Sequence, residues 1–185
     1  GIFLFNEVEV LDFAGPFEVF SVTEVNEEKP FTVYTVSENG EMITARNGLK
    51  VQPDYSIENL PPVDILIIPG GLGAREYEIK NEIVIKWIRQ QMKEVKLMTS
   101  VCTGALLLAK AGLLEGLKAT THWASIEKFK NEFQNVEVIE NVKFVDEGHI
   151  ITSAGISAGI NMAFHIVKNL LGVHVAEDTA KRMEY

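Results

Sequence analysis

Two short apolar runs constrain this chain most. Asp64-Ile65-Leu66-Ile67-Ile68 and Lys96-Leu97-Met98-Thr99-Ser100-Val101 are too short for free-standing helices, and each breaks directly into a turn containing glycine. The first run is apolar without alternation, the pattern of a strand in a parallel sheet covered on both faces. It ends in Pro69-Gly70-Gly71-Leu72-Gly73; the second ends in Cys102-Thr103-Gly104 and passes into Ala105-Leu106-Leu107-Leu108-Ala109-Lys110, a run of strong helix formers. A strand feeding straight into a helix, twice, predicts an α/β architecture.

The rest of the chain repeats this alternation. Ile2–Phe5 reads as a buried strand, and Pro16, a favoured first helical residue, opens a helix expected to reach Val25. Phe31–Ser37 is a second strand. Glu38-Asn39-Gly40 and Arg46-Asn47-Gly48 are turns around short paired strands at Met42–Thr44 and Leu49–Gln52. A helix over 81–93 precedes the strand that carries the cysteine. Further on, Lys118–Thr121 reads as a strand and 125–133 as a helix. Strands are expected at Val136–Ile139, Lys143–Val145 and His149–Thr152, and helices at Ser157–Leu171 and Val173–Arg182. The order β-α-β-(β-β)-β-α-β-α-β predicts one domain, residues 1–185, built as a doubly wound α/β sandwich. Ligands of such folds lie outside the carboxyl ends of the strands.

Composition narrows the classes of function. The 185 residues carry a net charge of −9, which excludes a basic face for nucleic acid or for anionic membranes. No stretch is apolar for the length of a membrane span, and no leader pattern opens the chain. Gly1 lies in a strand already under way, so residues are expected to precede it. With one cysteine no internal disulfide forms, and a reducing, cytoplasmic setting is expected.

That cysteine, Cys102, sits at the strand–helix junction Ser100-Val101-Cys102-Thr103-Gly104. The junction resembles a G-x-S-x-G nucleophile elbow with sulfur for oxygen and Ser100 for the first glycine. A helix start favours thiolate, so an acidic, reactive thiol is expected rather than a small core residue. Gly70 and Gly71 are candidate backbone donors for an oxyanion, and equally suit a simple tight turn after a buried strand. Thr103 follows the nucleophile, its N–H a second donor and its hydroxyl a handle for water or substrate. Asp12 lies in a segment read as a loop before the Pro16 helix, and by itself suits a turn cap as well as chemistry. Glu18 suits a solvated role. His122 is the best-placed imidazole, read as a supporting group rather than a base. Phe13, Phe17, Phe20 and Trp123 read as core or pocket wall. The remaining histidines show no metal-ligand spacing, so neither a metal nor a cofactor is expected.

Three blocks, Leu11-Asp12-Phe13-Ala14-Gly15-Pro16-Phe17-Glu18, Pro69-Gly70-Gly71 and Ser100–Leu108, resemble the DJ-1/PfpI superfamily over nearly the whole chain. Two more, Ala119-Thr120-Thr121-His122-Trp123 and Thr152–Ile160, are similar to the branch that holds isonitrile hydratases and the amidotransferase-like domains fused to AraC-type regulators. The resemblance implies a flavodoxin-like sandwich with a mostly parallel sheet, an acidic Asp12 hydrogen-bonded to Cys102, and a homodimer. It also implies small-molecule chemistry: hydration of an isonitrile to an N-substituted formamide, with Cys102 as nucleophile and Asp12 as proton carrier. A PfpI-type protease or amidase is the alternative within the superfamily, weakened because Thr103 stands where those proteases place histidine. A redox- or ligand-sensing domain without catalysis is the other alternative; no DNA-binding region is expected within the chain.

Overall fold

The computed structural model describes residues 1–185. Seven strands form the central sheet: β1 (Ile2–Phe3), β2 (Thr35–Ser37), β5 (Tyr55–Ser56), β6 (Ile65–Ile68), β7 (Leu97–Val101), β10 (Phe144–Asp146) and β11 (Ile150–Ser153), in the order β10-β11-β7-β6-β1-β2-β5. Every neighbouring pair is parallel except the β10–β11 hairpin. Two small ribbons stand apart, β3 (Ile43–Thr44) with β4 (Lys50–Val51), and β8 (Lys118–Ala119) with β9 (Glu137–Val138). The helices are α1 (Val10–Val22), α2 (Leu72–Glu76), α3 (Glu82–Gln91), α4 (Gly104–Lys110), α5 (Ile126–Glu132), α6 (Ala158–Leu171) and α7 (Val173–Arg182). This is the flavodoxin-like sandwich expected. The apolar strands β6 and β7 are buried in its middle with Leu66, Ile68, Met98 and Val101.

Local signals place several elements closely. Asn81 caps α3, its Oδ1 accepting the Ile83 and Val84 N–H groups at 3.2 and 3.4 Å. Asn47 and Gly40 take the left-handed backbone expected of their turns.

Three expectations are corrected. Helix α1 begins at Val10, six residues before Pro16, so Asp12 stands in its first turn rather than in a loop. Tertiary contact outweighs the proline signal: the Glu9 N–H donates to the Gly70 carbonyl at 2.9 Å and Val8 bridges Gly71, which seats the helix start against the β6 turn. An interior proline costs a helix about 3 kcal/mol, and Pro16 is buried here. The Lys118–Thr121 strand shortens to β8 and leaves the main sheet. Thr120 and Thr121 bond instead to Thr152 Oγ1 and to the Cys102 carbonyl. The Phe31–Ser37 strand shortens to β2, since only its last three residues enter the ladder with β1.

Candidate active site

Four adjacent strands deliver the site. At the carboxyl ends of β11, β7, β6 and β1 the chain continues as Ala154–Ile156, Cys102–Thr103, Pro69–Gly71 and the segment leading into α1. Register holds these ends level, with Ser153 opposite Val101 and Ile68 opposite Ser100.

Cys102 has φ 58, the strained left-handed turn that an elbow requires. Its carbonyl accepts the Thr121 hydroxyl at 2.8 Å, and its N–H is shared between the Ser153 and Ala154 carbonyls. The residue is only 6% exposed. Asp12 is completely buried beside it. Asp12 Oδ2 accepts the Gly70 N–H at 2.9 Å and Oδ1 accepts the Ile156 N–H at 3.1 Å.

Burial pushes the Asp12 carboxyl up to about 7, against the pull of the Gly70 N–H. Burial also pushes the Cys102 thiol up, and the neighbouring Asp12 carboxylate adds to it; the Thr103 and Ile156 N–H groups pull the other way. The acidic thiol expected from the helix start alone is therefore corrected: desolvation and a like charge outweigh the few backbone dipoles at the start of a seven-residue helix. Asp12 and Cys102 form a carboxyl–thiol pair in which the carboxyl exchanges its proton near neutrality.

Of the two readings of Gly70 and Gly71, the structure supports the tight turn over the oxyanion donors. The Gly70 N–H is committed to Asp12, and the Gly71 N–H donates to Thr103 Oγ1 at 3.0 Å. A Cβ on Gly70 would lie 2.4 Å from the Thr103 nitrogen, and Gly71 sits at φ 128. These positions hold Asp12 and Thr103 in place rather than pointing donors at a reacting atom. The Thr103 hydroxyl is likewise occupied, since it also donates to the Gly71 carbonyl at 3.3 Å.

His122 caps a 3-10 turn at Trp123–Ser125, its Nδ1 accepting the Ala124 N–H at 3.2 Å. Burial, and then the Arg75 guanidinium, hold this imidazole below its ordinary range, with Glu9 opposing. Phe13 and Phe20 are core, whereas Phe17 is partly exposed and Trp123 is 81% exposed in the wall of a cavity. Glu18 is exposed, as expected. No three His, Cys, Asp or Glu side chains converge as a metal site requires.

A buried carboxyl against an elbow cysteine, at the carboxyl edge of a parallel sheet, has clear counterparts. The DJ-1/PfpI family model matches residues 1–169. The chain belongs to the DJ-1/PfpI family. Isonitrile hydratase from Pseudomonas putida is 34% identical to it over 186 aligned residues, which cover all of this chain and 77% of that protein. The HTH-type transcriptional regulator CdhR of Pseudomonas aeruginosa is 26% identical over 94% of this chain, but the chain spans only 51% of its length. The crystal structure of a ThiJ/PfpI family protein from Pseudomonas syringae superposes with a TM-score of 0.84 at 27% identity, covering 100% of this chain and 73% of that one. Relatives of this DJ-1/PfpI domain thus include both an enzyme and regulators.

Within the DJ-1/PfpI frame, sequence reasoning missed Ile156 as a site residue. It is β-branched yet adopts φ 57, and its N–H serves Asp12 while facing the thiol. Isoleucine normally avoids that backbone region, so Gly155-Ile156-Ser157 carries no local sign of it. The Glu9 and Arg75 charges near His122 were missed for the same reason: they lie on separate elements that meet only in the fold.

Proposed function

We propose that this protein is a cysteine-dependent small-molecule enzyme that hydrates isonitriles to N-substituted formamides. The observation that carries this reading is the fully buried Asp12, held by two backbone N–H groups beside Cys102 and brought to about 7. A carboxyl with that value accepts and returns a proton at neutral pH. In the first step the sulfur bonds to the terminal isonitrile carbon while Asp12 takes the thiol proton and delivers it to that same carbon, leaving a thioimidate, R–N=CH–S–Cys102. The Thr103 and Ile156 N–H groups face the sulfur and stabilise its developing charge. Water then adds to the carbon as Asp12 takes one of its protons and passes it to the nitrogen, giving R–NH–CH(OH)–S–Cys102. Finally the C–S bond breaks, the hydroxyl proton returns through Asp12 to sulfur, and R–NH–CHO leaves. The sum is one isonitrile plus one water.

Peptide hydrolysis needs an acid for a poor amine leaving group, the task of imidazole in Cys–His enzymes. Thr103 does not titrate, and His122 is held below its ordinary range and capped on Ala124. The reading carries with it a reducing, cytoplasmic setting and a homodimer. Its test is formamide production from methyl and cyclohexyl isonitrile, followed by NMR, for the protein and for Cys102→Ala. Turnover by the first alone is expected, with casein and fluorogenic peptides left intact. Peptide cleavage abolished by Cys102→Ala, without isonitrile turnover, would overturn the assignment.

A further inference from the structure

A second cavity, of about 620 Å³, runs along the opposite edge of the sheet from Cys102. Its wall takes in residues at the start of five consecutive strands: Ile151 of β11, Leu97 of β7, Ile65 of β6, Ile2 of β1, and Tyr34 just before β2. Neighbouring strands lie about 4.8 Å apart, so these four intervals make a trough about 19 Å long. The length of β7 separates it from the thiol, a span of about 16 Å, so it is no part of the site around Asp12. Phe20 of α1 and Ile166 of α6 close its other side. Ile2, Ile67, Ile151 and Ile166 are each at most 2% exposed and form an apolar floor, while Leu170 stands on the rim at 57%. The charged side chains of the wall are already engaged. Lys96 Nζ lies 2.7 Å from Asp64 Oδ1, and Asp146 Oδ2 lies 2.6 Å from His165 Nε2, with Asn169 Nδ2 3.0 Å from the same nitrogen. That leaves the hydroxyls of Thr32 and Tyr34, both at the β2 end, as the polar side chains of the wall outside these pairs. The volume falls in the range of about 300–1,000 Å³ typical of small-molecule sites.

We infer that this trough is a second ligand site, for an uncharged, linear aliphatic molecule with one hydroxyl or carbonyl head, and that it is separate from the chemistry at Cys102. The shape selects a chain, because a compact ring would leave most of the length empty. Charge is selected against on both counts available. The isoleucine floor offers an ion no partner, and an ion buried there would cost far more than a hydroxyl. The ionic groups on the wall are spent on one another, so a charged head would have to break a pair to gain one. Thr32 and Tyr34 hydroxyls both donate and accept, which suits a neutral head at the β2 end with the tail lying toward Ile151 and Ile166.

The test is calorimetric titration of the whole chain, with any residues that precede Gly1 in place, by 1-hexanol, 1-octanol and 1-decanol. Saturable binding at one site is expected, with affinity rising about fourfold for each added methylene. Decanol is expected to bind at least about tenfold more tightly than decanoate or decylamine. Leu170→Glu places a charge on an exposed part of the rim, where folding tolerates it, and is expected to lower decanol affinity about tenfold. Tyr34→Phe is expected to lower it about threefold to tenfold through the lost hydrogen bond. Cys102→Ala is expected to leave it unchanged. Binding that does not saturate, that ignores chain length, or that favours either charged compound overturns the site. So does affinity indifferent to Leu170→Glu. Loss of binding in Cys102→Ala overturns it as well and moves the alcohols to the elbow. Absence of binding in the whole chain, with the trough open only when the residues before Gly1 are removed, gives the trough to that segment and overturns the ligand.

Discussion

Asp12 Oδ2 accepts the Gly70 N–H at 2.9 Å across 58 residues of chain, and this bond joins the first turn of α1 to the end of β6. The contact is buried, so the carboxyl meets backbone amides instead of water. Its partner oxygen reaches still further, to the Ile156 N–H 144 residues away. Three separate strand ends are thereby referred to one carboxyl group, and the thiol of the fourth sits beside it.

Replacing Asp12 with Asn removes the proposed proton carrier at nearly constant volume. Isonitrile turnover is expected to fall by about 10²–10⁴-fold while circular dichroism remains that of the folded protein. Cys102 alkylation by iodoacetamide reports the other half of the pair. In the unmodified protein its inflection is expected above the ordinary thiol value of about 8.5, because burial and then Asp12 raise it. In Asp12→Asn the inflection is expected at lower pH than in the parent. An unchanged inflection refutes the coupling.

The same carboxyl makes stability depend on pH. Between its ordinary value of about 3.9 and about 7, folded Asp12 holds a proton that the unfolded chain has released. Stability contributed by the neutral carboxyl is full below about pH 4, is lost as pH rises through that window, and is level above it. The wild-type minus Asp12→Asn difference in unfolding free energy is thus expected to fall by about 3–4 kcal/mol between pH 4 and pH 7. Denaturant titrations at a series of pH values measure it, and a flat difference shows Asp12 to be ionised throughout.

Gly70→Ala tests the close approach at the elbow. The added Cβ would lie 2.4 Å from the Thr103 nitrogen, 2.6 Å from its hydroxyl and 3.0 Å from Asp12 Oδ2. Overpacking of this kind costs about 1–3 kcal/mol, or roughly 3–10 °C in Tm for a chain of this size. Displacing the reacting groups is expected to cost turnover about 100-fold or more. Calorimetry and the formamide assay read the two effects separately.

Thr103→Val keeps the shape and removes the hydroxyl, leaving the Gly71 N–H without its 3.0 Å acceptor. A partly buried donor left unpaired costs up to about 1–3 kcal/mol. The variant is expected to melt lower and to turn over more slowly, and Thr103→Ser to recover both. Recovery of activity without recovery of Tm would assign the hydroxyl to substrate instead of to the loop.

Much of this was legible in the sequence. The run Ile65–Ile68, the helix formers after Gly104 and the helix starting at residue 81 act within a few residues of themselves, and local propensity is enough to place them. For the same reason Cys102 is readable as an elbow: strand, turn and helix adjoin it directly. Pro16 misleads because its signal is local as well, whereas the start of α1 is set by Glu9 and Val8 docking on the Gly70–Gly71 turn.

What the sequence by itself determined is therefore the parallel sandwich and the position of its elbow cysteine. Only the tertiary structure decided that Asp12 is sealed from water, that Gly70 and Gly71 spend their N–H groups on Asp12 and Thr103, and that Ile156 turns left-handed to reach both partners. It also reversed the expected direction for the thiol. A helix start favours the anion through dipoles carried in the local sequence. The desolvation and the neighbouring carboxylate that oppose it come from residues far apart in the chain, and they exist only once the four strand ends stand side by side.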